Sequence, residues 1–249
     1  MSRDRTLPPR GEDKTTDRPG AGGSPVEGLL LVDKPAGMTS HDVVQEVRRI
    51  YGERSIGHLG TLDPFATGLL VLLLGRATRL ANFLDTEPKV YEATVTFGAE
   101  TDTDDSTGTL IRTAAPPTEA AIRSAVRSLT GTISQLPPAY SAKSVDGTRA
   151  YDAARKGEPL DLRSVDVTVH SWEIRGLTAD TLSATVTCSG GTYIRALARD
   201  LGRLTSSAAH LSALRRIRVG PFQMADAATL EKLADAPARV RALRVVADA

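Results

Sequence analysis

Residues 57–68 read GHLGTLDPFATG and form the most informative stretch of the chain. It holds three glycines, a histidine, an aspartate and a proline, and an apolar run at residues 69–74 follows at once. Glycine and proline crowd segments in which the backbone turns sharply or approaches a ligand closely. The pattern predicts a loop that carries the Asp63 carboxylate beside a buried strand, which suits chemistry. A plain Asp-Pro turn, in which Asp63 bonds its own backbone, is the alternative.

This stretch resembles the catalytic-aspartate motif of the TruB family, the bacterial-type tRNA pseudouridine synthases. Four further segments resemble motifs of that family, in the same order along the chain. They are LVDKPAGMTS at residues 31–40, KVY at 89–91, CSGGTYIR at 188–195, and LRR at 214–216 with VGPF at 219–222. The resemblance covers residues 27–233, and five motifs in one order are far more specific than any one of them alone.

The resemblance implies an α+β pseudouridine synthase fold, with a mixed, mostly antiparallel central sheet, flanking helices and an RNA-binding cleft. The closely spaced strands in the middle of the chain agree, because they leave no room for regular crossover helices. Residues 27–234 would form the catalytic domain, with an inserted thumb at about 138–165. Residues 1–26 are predicted to be a disordered tail, being rich in proline, glycine and charge. Residues 235–249 would be a C-terminal extension, with the family's usual small RNA-binding domain absent or truncated.

Hydrophobic periodicity predicts the main elements. A capping box at Thr39 and Asp42 predicts the start of a helix that runs to Tyr51. Further helices are predicted at residues 118–129, 147–156, 194–204 and 228–234, and strands at 28–32, 69–74, 90–97, 165–174 and 182–188.

The resemblance assigns the chemistry to Asp63. A carboxylate could form a covalent intermediate at C6 of uracil or at C1′ of the sugar, or it could remove the C2′ proton. These three alternatives stay open. By the same resemblance Arg195 is the counter-charge of Asp63, although from composition alone it is one exposed arginine of a helix.

Four more residues are implied to bind the substrate. Tyr91 would pack against the flipped base, Tyr193 would support the aspartate–arginine pair, and Leu214 would form part of the pocket wall. His58 would act as a wedge or stacking partner when the base is extruded. The residues by themselves allow plainer roles: core packing for Tyr91 and Leu214, helix entry for Tyr193, and a polar loop surface for His58.

Charge is unevenly distributed, although the net charge is only +1. Residues 195–218 hold six arginines and one acid, whereas residues 85–105 hold seven acids and one lysine, Lys89. This pattern predicts a basic face toward RNA. The phosphate contacts would come from Arg199, Arg203, Arg215, Arg216 and Arg218. The alternative is an ordinary solvated helix face.

No cofactor or metal is expected. The sequence contains no phosphate-loop or dinucleotide fingerprint, and its four histidines and single cysteine lack zinc spacing. Residues 102–106 are predicted to be a polar turn, because they lack the glycine and the closing glutamate of a calcium loop. One cysteine and no apolar run of about 20 residues indicate a cytoplasmic protein with no membrane partner.

The implied function is isomerisation of uridine 55 in the T loop of tRNA to pseudouridine. The expected partner is the T-arm stem-loop of tRNA, with no obligatory protein partner and a monomeric state. Two alternatives remain: a non-catalytic tRNA-binding or folding module, and a guide-RNA-dependent rRNA pseudouridine synthase subunit. A gel shift combined with an activity assay on bare tRNA transcript separates them.

Overall fold

The computed structural model describes residues 26–141, 143–145, 147–158, 160–235 and 243–244. The predicted tail lies outside these ranges except for Val26, as does most of the predicted C-terminal extension. The described residues form five α-helices: α1 Ser40–Tyr51, α2 Glu119–Ser128, α3 Ala150–Arg155, α4 Ile194–Leu204 and α5 Leu230–Asp235. Short 3₁₀ helices span Gly75–Leu80 and Met224–Asp226.

The strands are numbered in chain order. They are β1 Gly28–Lys34, β2 Ile56–Leu59, β3 Thr67–Leu74, β4 Lys89–Phe97, β5 Ala99–Thr101, β6 Leu110–Thr113, β7 Gly131–Gln135, β8 Ser144–Val145, β9 Thr148–Arg149, β10 Val165–Leu177, β11 Thr181–Cys188, β12 Ala209–Val219, β13 Phe222–Gln223, β14 Ala228–Thr229 and β15 Leu243–Arg244.

One large sheet organises the molecule, in the order β14-β1-β3-β12-β4-β11-β10-β7. Strand β2 also pairs with β3, β13 with β12, and β15 with β1. Only the β1–β14 and β3–β12 pairs are parallel among the described strands. Strands β5–β6 and β8–β9 form separate two-stranded sheets. The predicted mixed, mostly antiparallel α+β architecture is confirmed.

The core follows from the sequence periodicity. Alternate residues of β4 are buried, as its alternating polar and apolar pattern predicts, and they pack with β11, β12, α2 and α4. Strand β3 is apolar throughout because its two faces enter different clusters. Leu70, Leu72 and Leu74 face α1, whereas Leu69, Val71 and Leu73 join Val219 of β12.

Strand β3 carries two different partners along one edge. Its end at residues 71–74 pairs with β2, whereas Thr67 and Gly68 pair with Arg215 and Arg216 of β12. The loop 60–66 therefore projects where β3 changes from one partner to the other. Gly68 is required there: its φ is +101°, and a Cβ would lie 2.3 Å from the Arg216 carbonyl oxygen.

Several predicted elements need correction. The helix predicted from residue 147 begins at Ala150, because Gly147 adopts a φ of +80° in the turn between β8 and β9. The last helix begins at Leu230, after Ala228 and Thr229 have paired with β1. The periodicity analysis missed the central strand β12, whose arginines do not resemble a buried strand. The hydrogen-bond partners of Arg215 and Arg216 lie about 150 to 180 positions earlier in the chain.

The capping box and helix α4 are confirmed. Asp42 N–H donates to Thr39 Oγ1 at 3.0 Å, and Thr39 N–H donates to the Asp42 carboxylate at 2.8 Å. Helix α4 spans Ile194–Leu204, as predicted, and begins at the N-cap residue Tyr193. Residues 102–106 form a turn, also as predicted.

Candidate active site

A buried lysine anchors the loop that carries Asp63. Lys34, the last residue of β1, is 0% exposed, and its Nζ donates to the carbonyls of Pro35, Met38 and Pro64 at 2.9, 2.6 and 3.3 Å. Burial lowers the pKa of Lys34 to about 8, and the nearby Asp63 carboxylate offsets part of this effect. The lysine thus joins the end of β1 to the backbone just after Asp63.

Two further contacts fix the same loop. Ser40 Oγ, at the start of α1, accepts from Leu62 N–H at 2.9 Å and donates to the Leu62 carbonyl at 3.1 Å. Gly37 N–H donates to the Pro64 carbonyl at 2.8 Å. The backbone is therefore held on both sides of Asp63, so its carboxylate is presented by a rigid support.

Replacing Lys34 with methionine should lower the free energy of unfolding at pH 7 by about 3 kcal/mol, because three carbonyls lose their buried donor. Folded Lys34 loses its proton near pH 8, whereas an unfolded lysine keeps it to about 10.5. The unfolded state therefore binds more protons in this window, so this group adds stability as pH rises. The free energy of unfolding of parent minus that of the variant should therefore increase by up to about 3 kcal/mol from pH 8 to 10.5.

Denaturant titrations at pH 7, 8, 9 and 10.5 would measure that difference. Lys232→Met, which removes an exposed lysine of α5, is the matched control and should show no such trend. A parent-minus-variant difference that stays flat or shrinks with rising pH would contradict the buried-lysine interpretation.

Asp63 is held by a two-pronged ion pair. Arg195 Nε donates to Asp63 Oδ2 at 2.8 Å, and Arg195 Nη2 donates to Oδ1 at 2.9 Å. The Arg195 side chain is 4% exposed, whereas that of Asp63 is 33% exposed. Such bidentate geometry fixes both the position and the plane of a carboxylate. The predicted pairing of these residues is confirmed, and the exposed-arginine alternative is wrong.

The rest of the Arg195 guanidinium is also satisfied. Its Nη1 donates to the Thr103 carbonyl at 2.7 Å, and its Nη2 donates to the Tyr140 carbonyl at 2.8 Å. Asp105 adds a second carboxylate, 3.7 Å from Nε. None of the three was predicted from the sequence; Thr103 and Tyr140 act through backbone carbonyls, which leave no signature in a sequence. The run of acids at 102–105 was the available signal for Asp105.

The arginines of α4 continue this pairing along one face of the helix. Arg199 donates to Asp104 at 2.9 Å, and Arg203 donates to Glu100 at 2.5 Å. The acid-rich and arginine-rich segments thus neutralise each other. The predicted phosphate contact is wrong for Arg199, which is buried and already paired.

The other predicted phosphate contacts differ in exposure. Arg203 keeps a 52% exposed side chain, and Arg215 is 38% exposed while it pairs with Asp33 at 2.8 Å. Arg218 Nε donates to the Gly220 carbonyl at 2.7 Å. Arg216 is 1% exposed and its guanidinium donates to backbone carbonyls. The phosphate contacts of these four arginines stay predictions.

A cavity of about 680 Å³ lies beside the ion pair. It brings together every residue that the sequence analysis placed in the site: His58, Asp63, Tyr91, Tyr193, Arg195 and Leu214. Its wall also includes Lys89, Tyr140, Tyr151 and Arg216, which that analysis did not assign to the pocket. The volume lies within the range of about 300–1,000 Å³ that is usual for small-molecule sites.

The walls of this cavity are built from the sheet and the start of α4. Tyr91 and Leu214 are 6% and 8% exposed and belong to the main core, so their packing role is confirmed. Burial raises the pKa of Tyr91, opposed by the charge of Arg216. Tyr193 is fixed through its backbone, because Gln135 accepts from its N–H and donates to its carbonyl.

His58 lies on strand β2 and not in a loop, which corrects the sequence analysis. It pairs through its backbone with Leu72 of β3, and its side chain borders the cavity. Its Nδ1 is buried and has no hydrogen-bond partner among the described residues. Burial lowers the pKa of His58, which favours a neutral ring at neutral pH.

The described ranges contain neither a cluster of metal-ligating side chains nor a helix suited to span a membrane. No group of three or more His, Cys, Asp or Glu side chains is arranged there to hold a metal ion. None of the helices described has the length and apolar character needed to cross a membrane.

Two family models match adjoining parts of the chain. The one described as "TruB family pseudouridylate synthase (N terminal domain)" matches residues 48–194. The one described as "tRNA pseudouridylate synthase B C-terminal domain" matches residues 195–246.

Curated relatives agree with these matches. The tRNA pseudouridine synthase B of Thermobifida fusca is 51% identical over 218 residues, which cover 84% of this chain and 74% of that protein. The tRNA pseudouridine synthase B of an Arthrobacter species is 48% identical over 218 residues, covering 84% and 71%.

Solved structures share the fold. A chain of a Cbf5–Nop10–Gar1 complex superposes with a TM-score of 0.65 at 30% identity, and the match covers 84% of this chain and 54% of that one. A chain of an H/ACA RNP bound to a substrate RNA containing 2′-deoxyuridine superposes with a TM-score of 0.63 at 28% identity, covering 84% and 52%. This chain therefore spans about half the length of these structural relatives.

The fold and the aspartate cavity, together with the matching N-terminal family model, define a pseudouridine synthase, which is an isomerase. The chain belongs to the TruB family of pseudouridylate synthases. The family resemblance drawn from the five motifs is thereby confirmed.

Proposed function

We propose that this enzyme converts uridine 55 in the T loop of tRNA to pseudouridine. The observation that carries the proposal is the partly exposed Asp63 carboxylate, held by buried Arg195 at the wall of a nucleoside-sized cavity. The substrate class is supported by curated relatives named tRNA pseudouridine synthase B at 46–51% identity. The position within tRNA rests on the family resemblance.

The reaction breaks the bond between uracil N1 and C1′, turns the base, and joins C5 to C1′. N1 gains a proton and C5 loses one, so no oxidant, reductant or transferred group is needed. Asp63 can attack C6 or C1′, or remove the C2′ proton, and each role requires an ionised carboxylate. The Arg195 fork supplies the counter-charge of this carboxylate and fixes its position when bound RNA excludes water from the cavity.

The target base has to leave the T loop before it can reach Asp63. Extruding a base costs a few kcal/mol, and stacking against protein side chains recovers part of it. Tyr91 and Leu214 offer the buried wall against which the uracil packs. His58 lines the cavity, and its imidazole ring is suited to fill, by stacking, the gap that the base leaves.

The segment at about 138–165 is proposed as the thumb that closes on the RNA. It contributes Tyr140, Ser141 and Tyr151 to the cavity wall, and the Tyr140 carbonyl contacts Arg195. The Tyr140 and Tyr151 rings meet edge to face with centroids 6.2 Å apart. Because this segment touches both the cavity and the ion pair, RNA bound against it can influence Asp63 directly.

Purified protein, treated with EDTA and given no small molecule, should convert a T-arm stem-loop transcript, because the isomerisation requires no cofactor. Pseudouridine would be measured by mass spectrometry after nuclease digestion, with a transcript carrying cytidine at the target position as control. Activity that returns only with a metal ion, after RNA folding has been checked separately, would contradict cofactor independence.

The same assay separates the alternatives. Modification of the bare transcript without any added RNA excludes a guide-dependent subunit, which the likeness to chains of H/ACA complexes otherwise suggests. Binding without modification would favour a tRNA-folding module. A monomeric state, a cytoplasmic location and the domain boundaries of the sequence analysis remain predictions.

A further inference from the structure

A second charged region lines the same cavity away from the aspartate–arginine pair. Arg216 of β12 is 1% exposed, and its guanidinium donates to the carbonyls of Leu69, Gly60 and Thr61 at 2.8, 3.0 and 3.4 Å. No carboxylate of the described residues lies within 4.0 Å of it, in contrast to Arg195 and Arg199. A buried cation normally has an anionic partner. The Arg216 guanidinium has none among the described residues.

Lys89 brings a second cation to the same place. A Cβ built on Gly60 would lie 3.4 Å from Lys89 Nζ and 3.5 Å from Arg216 Nη1, so both nitrogens face one small space beside Gly60. Lys89 Nζ has no hydrogen bond or ion pair with any side chain or carbonyl in the described part of the chain. Burial and the charge of Arg216 lower the pKa of Lys89, as expected for two cations brought together without an anion.

The surrounding acids do not neutralise this pair. Asp63 is committed to Arg195, and Lys34 adds a further positive charge at the end of β1. Glu87 is the acid that comes near Lys89, since both approach Gly190, but the two side chains do not meet within 4.0 Å. The cavity therefore carries excess positive charge on this wall before any substrate enters.

We propose that Lys89 and Arg216 form a phosphate site that holds a backbone phosphate next to the flipped target nucleotide. The inference rests on the proposed function, because it deepens the account of how that site binds RNA. A phosphodiester oxygen accepts from both an ammonium and a guanidinium, and it would supply the missing anion. Gly60 has a φ of +81° and no side chain, so the RNA backbone can approach closely.

Arg216 is one of the five arginines for which the sequence analysis predicted phosphate contacts, and the site adds Lys89, which that set did not include. Arg199 is buried and already paired, whereas Arg216 and Lys89 line the cavity in which the target nucleotide must lie. A phosphate held there would fix the sugar of the target uridine relative to Asp63. Binding energy from a non-reacting part of the substrate would then orient the reacting bond.

Lys89→Met keeps the apolar stem and removes one charge, and it leaves the Arg216 hydrogen bonds in place. In single-turnover assays on a T-arm stem-loop, the enzyme concentration for half-maximal rate should rise about tenfold, with the maximal rate within about threefold of parent. The slope of log affinity against log salt should become shallower by about 0.7, the value for one contact to single-stranded RNA. Lys232→Met is the matched control, and Glu87→Gln should tighten binding because it removes a competing anion.

Methylphosphonate substitution tests the contact itself. One uncharged linkage, placed either 5′ or 3′ of the target uridine, should weaken parent binding about tenfold and should weaken Lys89→Met no further. At other linkages the losses in parent and variant should be the same. Arg216→Lys keeps the charge and loses the two-pronged guanidinium. Once thermal unfolding has shown that it folds, this variant should lose less affinity than parent, but more than Lys89→Met, when the methylphosphonate is introduced.

The outcomes are separable. If parent modifies the stem-loop but Lys89→Met binds like Lys232→Met, the phosphate site is refuted and the proposed function stands. The phosphate site would also be refuted if a methylphosphonate at either linkage flanking the target weakened the binding of Lys89→Met as much as it weakened the binding of parent. If parent binds the RNA without modifying it, the proposed function fails, and the methylphosphonate comparison still decides the phosphate contact. If parent binds no T-arm RNA, both proposals fail.

Discussion

Asp63→Asn should lower the single-turnover rate of pseudouridine formation by at least about 10⁴-fold, the scale of loss when an essential nucleophile or base is removed. The amide keeps the size of the carboxylate but cannot act as nucleophile or base. Its NH₂ group would also face a donor of the Arg195 fork, which bonds both Asp63 oxygens in the parent. RNA affinity should change by less than about threefold, because other side chains of the cavity wall make the binding contacts.

Two variants sharpen this test. Asp63→Glu keeps the charge and moves it by one methylene, so it should also be severely impaired, since near-attack geometry tolerates little displacement. Asp33→Asn is the matched control, because Asp33 pairs with Arg215 at 2.8 Å but does not line the cavity. Rate would be measured by quench and digestion at saturating enzyme. Pseudouridine formation by Asp63→Asn within tenfold of parent would overturn the assignment.

Arg195→Met should reduce the single-turnover rate at pH 7 by about 10²–10³-fold, similar to the loss of one preorganised electrostatic contact in other active sites. Without its partner, a carboxylate enclosed by RNA tends to take up a proton and cease to act as nucleophile or base. The rate of the variant should therefore rise with pH over a range in which parent is flat. RNA affinity should fall much less than the rate.

Rate against pH from 5.5 to about 9 would be compared for parent, Arg195→Met and Arg195→Lys. Lysine should rescue partly, because it keeps the charge without the two-pronged geometry. Arg49→Met is the control, because it loses an exposed ion pair with Glu46 on α1 and does not line the cavity. A methionine variant with the parental rate and pH profile would show that the ion pair has no part in catalysis.

The ion pair also explains why the acid-rich segment and helix α4 are coupled. Arg195 receives its orientation from Thr103, Asp105 and Tyr140, which belong to two separate stretches of chain. Each added acceptor restricts the guanidinium further, so the fork is set before RNA arrives. Preorganisation of this kind avoids reorganisation during the reaction, when it would cost most.

Local patterns in the sequence determined the elements and the reactive group. Alternation identified β4, apolar continuity identified β3, and the Thr39–Asp42 box located the start of α1, because each depends on neighbours in the chain. The motif resemblance identified Asp63 and five further residues, and all six line one cavity. Residue types and spacing sufficed for the elements, whereas the site residues depended on the family resemblance.

Tertiary structure alone decided which charges meet. The sequence predicted a basic face that includes the arginines of α4, but the fold pairs Arg199 with Asp104 and Arg203 with Glu100. Strand β12 could not be recognised because Arg216 is satisfied by carbonyls about 150 positions earlier in the chain. Hydrogen bonds to backbone atoms depend on three-dimensional placement and not on side-chain identity. For that physical reason a sequence could name the reactive carboxylate, and only the fold could show which cations hold it and which remain unpaired.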